Sequence, residues 1–524
     1  MRSKARPPLN IIQAIRDKNL FGSLFKDLST WAAWLVLLKA LFALLMDGEE
    51  LKLYQKCTGR KEPPRSPFRE LWAVIGRRGG KSRIVSVVAV FLGLFCSFKE
   101  YLAPGERGVI QVIAADRAQA KVVFKYISAI LHLKIFRPYI LNETKETIEL
   151  STGVDIEVAT CSFRSIRGRT VVCAILDEIA FWRVEGANPD REIVSAIRPS
   201  MATIPNALLL VISSPYAKFG VLFEHHRDHH GKDGDEEILI WQAPTRTMNP
   251  TIPETFIQKE REKDPASAKA EYDAQFREDI ETYVSREVVQ GCVVPKRYEL
   301  SPLPDVRYSA FVDPSGGSGT DSMTLAISHT TGNKKILDAI REVRPPYSPD
   351  QVVKDFCELL KRYRIEKVTG DRYGGEWPRE RFRVQGIRYE VSSKVKSDIY
   401  KDFLAPLNSG EVELLDIDKL VSQISGLERR TASGGHDTID HGPGGHDDLA
   451  NVAAGSMVEG KARLVPSIRI VDQGDAPPPR RTEGEAKLPI LREGEVAIPV
   501  EENGRIVEFQ ILRPRQRHWI AGVR

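Results

Sequence analysis

The stretch WAVIGRRGGKSR at residues 72–83 constrains the fold more than any other part of the sequence. An apolar run precedes a turn rich in glycine and arginine, and Lys81 and Ser82 follow that turn. In phosphate-binding loops of this kind, backbone N–H groups approach phosphate oxygens, a lysine reaches the β- and γ-phosphates, and a hydroxyl ligates Mg²⁺. The sequence therefore predicts a nucleotide site at the end of a strand, as found in α/β folds.

The loop departs from the common pattern GxxxxGK[ST], whose first glycine would fall at Ile75. Gly76 comes one residue late, and Arg77 and Arg78 fill the loop. Such an arginine adds a positive charge that can act on the transferred phosphoryl group, and the sequence does not rank the two. The residues expected to bind ATP in this loop are Gly76, Gly79, Gly80, Lys81 and Ser82.

An acidic pair follows a second apolar run, because VVCAILDE at 171–178 ends in Asp177 and Glu178. A buried strand with this ending would place Asp177 where it can hold the Mg²⁺ bound by Ser82. Glu178 would then polarise a water for attack on the γ-phosphate. The alternative interpretation is a pair of acids that caps a core strand and has no catalytic role.

Two polar segments near this pair admit a functional and a structural interpretation. Ser213-Ser214-Pro215 ends the apolar run that starts at Ala207, and it either senses the γ-phosphate or marks a strand-to-turn transition. Arg167 and Arg169 precede the acidic strand, and they either supply an arginine finger or form a solvated basic loop.

Short apolar runs alternate with helical stretches from Leu71 to about Pro215, which predicts a mostly parallel sheet with helices on both faces. The runs lie at 72–75, 108–115, 171–176 and 207–214. A new strand, YSAFVD at 308–313, starts a second alternating pattern after a segment rich in glycine and proline. The predicted division is an ATPase domain at 1–285 with a lid near 253–285, a linker at 286–305, a second domain at 306–460, and a partly flexible tail at 461–524.

The second domain repeats the theme of acids at the ends of predicted elements, without a phosphate loop. Carboxylates brought together from distant positions can hold two Mg²⁺ or Mn²⁺ ions for phosphodiester cleavage. Singly, each acid is better explained as a turn residue or a helix N-cap, but as an ordered set after an ATPase the acids favour the metal site. The acids in question are Asp313, with Asp321 across a glycine-rich turn, then Asp371, and Asp447 and Asp448 after His446.

Composition excludes some classes of protein and leaves others open. The net charge of +5 permits a polyanionic partner without demanding one. The apolar segment Trp31–Met46 is shorter than the roughly 20 residues of a membrane span and contains Lys39, so a buried helix is expected and no membrane partner. The histidines in HHRDHH at 225–230 lack a metal-ligand pattern, and a charged surface loop is expected there.

The order of these motifs resembles the large terminase subunit of tailed bacteriophages. The similarity covers about residues 20–460 and rests on the arginine-containing phosphate loop, the DE strand, the SSP strand and the D…D…HDD series. It implies an N-terminal P-loop ATPase that drives double-stranded DNA into a procapsid. It also implies a C-terminal ribonuclease H-like α/β nuclease that cuts concatemeric DNA.

The resemblance also implies roles for residues and partners. Asp313, Asp371 and either Asp447 or Asp448 would hold the nuclease metals, and residues 28–34, LSTWAAW, would match the adenine-contacting segment. The implied partners are a portal protein, a small terminase subunit and further copies of the chain in a ring on the procapsid. The implied location is the host cytoplasm, with transient residence at the portal.

Two alternatives remain open at this point. The first is a helicase or repair ATPase whose second domain binds nucleic acid without cutting it. The second is a non-enzymatic role for residues 306–460, as a docking module for a capsid partner.

Overall fold

The computed structural model describes residues 9–160, 168–182, 189–317, 321–371, 376–431, 437–443 and 445–459, together with the backbone of 496–502 and 505–512. Met1–Ala462 forms one compact unit and Arg463–Arg524 a second. In the second unit, two antiparallel strands at Val496–Glu502 and Arg505–Leu512 form a hairpin. Within the predicted tail at 461–524, the proline-rich segment at 475–487 lies outside the described residues.

An eight-stranded sheet carries the phosphate loop. Its strands are β1 (Glu70–Ile75), β2 (Gly108–Ala114), β3 (Ile140–Glu143), β4 (Thr147–Leu150), β5 (Val154–Thr160), β6 (Thr170–Asp177), β7 (Leu208–Ser213) and β8 (Ile238–Ala243). The spatial order is β3-β4-β5-β2-β6-β7-β1-β8, and all pairs from β5 to β8 are parallel. The four strands predicted from apolar runs are confirmed as β1, β2, β6 and β7. Their residues are almost entirely buried because helices cover both faces of a parallel sheet.

Ten helices lie between residues 11 and 271 in the described part of the chain. They are α1 (Ile11–Arg16), α2 (Ala32–Leu41), α3 (Gly48–Thr58), α4 (Lys81–Phe95), α5 (Arg117–Leu131), α6 (Pro189–Met201), α7 (Val221–His229), α8 (Thr245–Met248), α9 (Glu254–Lys263) and α10 (Pro265–Glu271). The helix α2 is buried over most of its length, as its apolar composition predicted. Within the described ranges, no helix has the length and apolar character needed to cross a membrane.

The segment HHRDHH does not form a surface loop, so that prediction is wrong. His225, His226 and His229 lie on α7. The ring of His225 stacks on Trp72 with the ring centroids 3.8 Å apart, and His226 Nε2 lies 2.8 Å from Gln242 Oε1. Burial lowers the pKa of both imidazoles. The helical spacing of these residues turns their rings toward the sheet, which the polar letters alone do not reveal.

A six-stranded sheet forms the second layered region. Its strands, in the spatial order β14-β13-β10-β11-β12-β15, are β10 (Tyr308–Asp313), β11 (Met323–Thr331), β12 (Lys334–Val343), β13 (Lys367–Gly370), β14 (Arg388–Val391) and β15 (Val412–Glu413). The strands β10, β11 and β12 form an antiparallel meander, and β13 and β14 add in parallel to β10. This is the ribonuclease H-like arrangement that the resemblance implied.

Helices cover both faces of the second sheet. They are α11 (Arg286–Gly291), α12 (Pro349–Arg362), α13 (Glu376–Val384), α14 (Lys396–Asn408), α15 (Asp418–Ser425) and α16 (Asp448–Val458). Because side chains alternate along a strand, β10 contributes to two separate cores. Phe311 packs in a core with residues of α14 and α16, and Val312 packs in a core with residues of α12.

A small three-stranded sheet joins the two layered regions. It consists of β9 (Ile280–Thr282), β16 (Leu427–Thr431) and β17 (Asp437–His441), in the order β17-β16-β9. The strand β9 follows the helices α9 and α10 of the predicted lid, whereas β16 and β17 lead into α16. Beside it, the Tyr216 hydroxyl donates a buried 2.6 Å hydrogen bond to Glu428 Oε2.

Candidate active sites

The phosphate loop occupies residues 76–80, between the end of β1 and the start of α4. Gly80 precedes the helix with φ at 95°, a conformation that favours glycine. A Cβ atom on Gly76 would lie 2.3 Å from Thr245 Oγ1 and 2.8 Å from the Tyr272 carbonyl oxygen. The glycine that comes one residue late is therefore required by close packing against the segments that follow β8 and α10.

Lys81 is buried at the N-terminus of α4, and only 5% of it is exposed. Its Nζ donates to the Ile75 carbonyl oxygen at 3.0 Å and to Ser214 Oγ at 2.9 Å. It also forms an ion pair with Glu178 Oε1 at 3.1 Å. Three strand ends, those of β1, β6 and β7, thus converge on one ammonium group, as parallel strands allow.

Glu178 follows β6 in the left-handed conformation, with φ at 54°. This turn aims its carboxylate at β7, where Oε2 accepts from the Ser214 N–H at 2.9 Å and from Ser213 Oγ at 3.2 Å. The predicted sensor segment and the predicted catalytic carboxylate are therefore in direct contact. The structure brings together Lys81, Glu178 and the two serines.

Asp177 is the buried partner of this pair, with 4% of the residue exposed. Its Oδ1 has no hydrogen-bond partner among the described residues. Burial raises the pKa of Asp177 to about 7, and the Glu178 carboxylate adds to the rise while Lys81 opposes it. A buried, unpartnered carboxylate oxygen fits a Mg²⁺ ligand, because Mg²⁺ prefers carboxylate oxygens and lowers their pKa on binding.

The arginines proposed for catalysis lie in different settings. The Arg77 guanidinium is 3.4 Å from Glu271 Oε2 on α10. Arg78 is exposed, and its backbone φ is 64°. Arg169 pairs with Glu157 at 3.3 Å. It precedes β6 whereas Asp177 ends β6, so the two residues lie at opposite ends of that strand. Arg169 therefore cannot reach the phosphate loop of its own chain, and Arg167 lies outside the described residues.

Two tryptophans from the segment LSTWAAW pack beneath the loop. Trp34 Nε1 donates to the Gly79 carbonyl oxygen at 2.8 Å. A Cβ atom on Gly80 would lie 3.0 Å from the Trp31 ring. Arg83 stacks on the same ring, with its Cζ 5.1 Å from the centroid. The segment at 28–34 thus contacts the loop and supports its shape.

The second group of predicted residues surrounds the end of β10. Asn451 Nδ2 on α16 donates to Asp313 Oδ2 at 2.8 Å. Asp371 follows β13, the parallel neighbour of β10, and its N–H donates to the Val312 carbonyl oxygen at 3.3 Å. Burial raises the pKa of Asp313 to about 7, and the carboxylates of Asp371, Asp448 and Asp447 add to the rise. The fold thus brings these four acids into one electrostatic group, whereas His446 and Asp321 are exposed at its rim.

Asp447 and Asp448 differ in environment although they are adjacent. Burial raises the pKa of Asp448, and the neighbouring Asp447 adds to the rise. Asp447 is 6% exposed, and its Oδ2 accepts from Tyr400 at 2.8 Å and lies 3.0 Å from Lys396 Nζ. Asp447 therefore has resident partners on α14, and Asp448 is the member of the pair that is better placed to bind a metal.

Sequence reasoning missed several residues around these acids. In the described part of the chain, the group with metal-ligand spacing is Asp440, His441 and Asp447, whose ligand atoms all lie within 4.8 Å of one another. The signal was available, because the strand DTIDH ends in an Asp-His pair shortly before HDD. Lys396 and Tyr400 carried no such signal, since an N-terminal lysine and a tyrosine on an amphipathic helix are ordinary.

A comparison with protein families shows which family the first part of the chain resembles. The model of the terminase large subunit ATPase domain matches residues 56–229. Residues 56–229 are therefore similar to a terminase ATPase domain. This range contains the phosphate loop, the DE strand and the SSP strand, so the resemblance to the large terminase subunit is confirmed. The match supports ATP hydrolysis and a DNA-packaging motor as the general activity of the chain.

Solved large terminases also match the chain. The HK97 bacteriophage large terminase is 15% identical over 75% of this chain and 91% of that chain, with a TM-score of 0.35. The large terminase of a thermophilic bacteriophage in complex with ADP is 12% identical over 74% and 94%, with a TM-score of 0.34. The large terminase nuclease of the thermophilic phage G20c with bound magnesium is 16% identical over 33% and 96%, with a TM-score of 0.29. No curated protein matches the sequence.

Proposed function

We propose that the chain is a viral DNA-packaging motor subunit, in which ATP hydrolysis drives translocation of double-stranded DNA and a two-metal endonuclease cuts concatemeric DNA. The observation that carries the ATPase half is the convergence of three strand ends on Lys81. An ammonium group held by Glu178 and Ser214 is positioned at the N-terminus of α4, where phosphate groups bind.

The residues of the nucleotide site are proposed to have distinct roles. Lys81 would bind the β- and γ-phosphates, and Ser82 and Asp177 would hold Mg²⁺, whose charge would offset the negative charge on the phosphate oxygens. Glu178 orients the attacking water and takes its proton. Its contact with Ser213 and Ser214 transmits the change at the γ-phosphate to β7. Arg78 is the loop arginine, because Arg77 is paired with Glu271.

The ATPase assignment is tested with Glu178→Ala in the full chain. We expect ATP hydrolysis to fall by about a hundredfold or more, because removal of a catalytic general base has effects of this order. Nucleotide binding, measured by calorimetry with a non-hydrolysable analogue, should persist. Hydrolysis at the wild-type rate would refute the role of Glu178.

For the nuclease half, we propose that Asp313, Asp371 and Asp448 hold the two divalent ions. Asn451 fixes the orientation of Asp313. Burial and then the neighbouring carboxylates raise the pKa of Asp313, and a bound cation would relieve the repulsion between these carboxylates. Two Mg²⁺ or Mn²⁺ ions held there would stabilise the attacking and leaving oxygens of a phosphodiester. Asp447 is proposed to support the site without binding a metal ion.

The nuclease assignment is tested by plasmid digestion with Mn²⁺. We expect Asp313→Ala to be inactive, and Asp305→Ala, a matched change at an exposed position before β10, to keep more than about half of the wild-type rate, because surface changes away from a site are usually mild. A wild type that never cuts would favour the helicase or docking interpretation of residues 306–460. Full activity of Asp313→Ala would refute the metal site.

The remaining assignments concern domains and partners. We propose an ATPase domain at 1–285, a connecting segment at 286–305 that includes α11, a nuclease domain at 306–460 and a tail at 461–524 that docks on a portal protein. The chain would act in the host cytoplasm as a ring on the procapsid portal, together with a small terminase subunit. Because the DNA contacts are made to phosphates, binding should be independent of sequence and should weaken steeply with salt.

A further inference from the structure

A lysine ammonium lies inside a group of potential metal ligands next to the nuclease acids. Lys396 Nζ is 2.7 Å from Asp440 Oδ1 and 3.0 Å from Asp447 Oδ2. His441 adjoins the same group, and Asp440, His441 and Asp447 offer ligand atoms that all lie within 4.8 Å of one another. The ammonium group therefore occupies the position that a bound metal cation would take, and it carries the same sign of charge.

The carboxylate of Asp447 is turned toward this ammonium group and away from its own helix. Asp447 is the N-cap residue of α16, a position where an aspartate normally accepts hydrogen bonds from the first N–H groups of the helix. Its side chain makes no such bond. Gln423 Oε1 accepts from the N–H groups of Leu449 and Ala450 instead, at 2.7 and 3.2 Å. Asp447 is thus not explained by capping.

Two groups from one helix fix the orientation of Asp447. Lys396 and Tyr400 are four residues apart on α14 and therefore lie on the same face. The Tyr400 hydroxyl donates to Asp447 Oδ2 at 2.8 Å, to the same oxygen that the ammonium group approaches. Ser397, between them, accepts from the Ile439 N–H at 2.9 Å and anchors the start of α14 on β17.

The charge of Lys396 persists in this environment. Burial alone would lower the pKa of Lys396, but the Asp447 and Asp440 carboxylates outweigh burial and hold that pKa above its ordinary value. One positive charge therefore remains between two carboxylates, beside a site where further carboxylates crowd together. Without it, the two carboxylates and an imidazole would form a ligand set suited to Mn²⁺.

We propose that Lys396 is a positioning residue that acts as the resident cation of the Asp440–His441–Asp447 group. It holds Asp447 out of the metal set, so that Asp448 joins Asp313 and Asp371 as a ligand. This proposal rests on the proposed nuclease function. It predicts that removal of the ammonium group opens an additional cation site.

The test measures Mn²⁺ binding to the full chain without nucleotide, by electron paramagnetic resonance, for the wild type, Lys396→Met and Lys396→Arg. Methionine keeps most of the length of lysine without the charge. We expect Lys396→Met to bind one more Mn²⁺ per chain than the wild type, and Lys396→Arg to match the wild type. A second substitution, His441→Ala in the Lys396→Met chain, should weaken or abolish the additional site. Equal Mn²⁺ stoichiometry and affinity in all variants would overturn the proposal.

Cleavage kinetics distinguish a positioning role from a DNA-binding role. At saturating Mn²⁺, we expect Lys396→Met to lower kcat by about tenfold with KM for DNA within about twofold of the wild type, and Lys396→Arg to restore most of kcat. A rise in KM with unchanged kcat would instead assign Lys396 to DNA contact and overturn the proposal. We also expect Asp448→Asn to lower kcat far more than Asp447→Asn, and equal losses would contradict the assigned metal set.

The two proposals fail separately. A wild type that never cuts DNA, with the additional Mn²⁺ still present in Lys396→Met, would refute the nuclease and leave the resident cation standing. A wild type that cuts, with no additional Mn²⁺ in Lys396→Met, would refute the resident cation and leave the nuclease standing. Wild-type ATP hydrolysis in Lys396→Met verifies that the chain is folded. If that variant does not fold, Lys396→Gln replaces it with the same expected gain of Mn²⁺.

Discussion

Asp177 and Glu178 show how adjacent acids acquire different properties from the backbone. Asp177 ends β6 with its side chain buried, and Glu178 turns into the left-handed conformation and reaches Ser214 and Lys81. One carboxylate is therefore desolvated and lacks a described partner at Oδ1, whereas the other has three. The difference matches the roles proposed for them, Asp177 as a metal ligand and Glu178 as a general base, and it predicts a pH effect on stability.

We expect Asp177→Asn to raise the melting temperature of the nucleotide-free and metal-free chain at pH 8. Because burial raises the pKa of Asp177 from 3.8 to about 7, ionisation destabilises the folded state. This cost begins as pH rises above about 4 and is complete above pH 7. The rise in the pKa of Asp177 corresponds to a loss of roughly 4 kcal/mol of folding stability at most. Asparagine avoids this loss because it does not ionise.

Thermal unfolding at pH 4 and pH 8 measures the effect. The melting temperature of Asp177→Asn minus that of the wild type should increase between the two pH values. Asp155→Asn, which changes a carboxylate paired with Arg107 at 2.7 Å, serves as the control and should lose stability at pH 8. A difference for Asp177→Asn that shrinks as pH rises would contradict the assigned environment.

At the scale of elements, the packing of α16 on β10 sets the geometry of the proposed nuclease site. A Cβ atom on Gly455 would lie 2.5 to 2.7 Å from three ring atoms of Phe311, so the helix and strand approach as closely as glycine allows. Asp448 and Asn451 on this helix face Asp313 at the end of the strand. A small displacement of α16 would therefore move two groups of the site at once.

We expect Gly455→Ala to lower the rate of Mn²⁺-dependent cleavage by at least about tenfold and to destabilise the chain by roughly 1–3 kcal/mol, as overpacking of cores does. ATP hydrolysis should be retained. Gly48→Ala is the matched control, because a Cβ atom there meets nothing within 4 Å and Gly48 is also helical. Unchanged cleavage by Gly455→Ala would show that α16 tolerates displacement.

Much of this element-level structure was predictable from the sequence. The strands β1, β2, β6, β7 and β10 were predictable because buried strands are short apolar runs. Parallel strands end on the same side of a sheet, which explains why acids that follow such strands lie close together. The inward face of α7 was missed because histidines are polar residues and suggest exposure. Lys396 was missed because its partners, Asp440 and Asp447, lie more than forty residues away along the chain. Such long-range pairing has no local signal.

At the scale of the whole molecule, Tyr216 connects the two layered regions. It follows the Ser213-Ser214-Pro215 segment, and its hydroxyl bonds Glu428 on β16, which is 1% exposed. The backbone continues through β17 to the acids that begin α16. A short path of hydrogen bonds and backbone thus runs from the carboxylate of Glu178, through the serines and Tyr216, to the strands beside the proposed nuclease site.

We expect Tyr216→Phe to lower stability by about 1.5–3 kcal/mol, the usual effect of losing a hydrogen bond to a charged group. It should also uncouple the sites. If a non-hydrolysable ATP analogue changes the cleavage rate of the wild type, the change should fall at least about threefold in Tyr216→Phe. Tyr139→Phe, at an exposed position, is the control. An analogue effect of wild-type size in Tyr216→Phe would exclude this route.

Whether one chain holds two separate catalytic centres is tested by assaying ATP hydrolysis and Mn²⁺-dependent DNA cleavage in parallel on Glu178→Gln and Asp313→Asn. We expect a reciprocal pattern. Glu178→Gln should lose hydrolysis and still cut DNA in the absence of nucleotide, whereas Asp313→Asn should hydrolyse ATP and not cut. Loss of both activities in one folded variant, or retention of both in either, would contradict it.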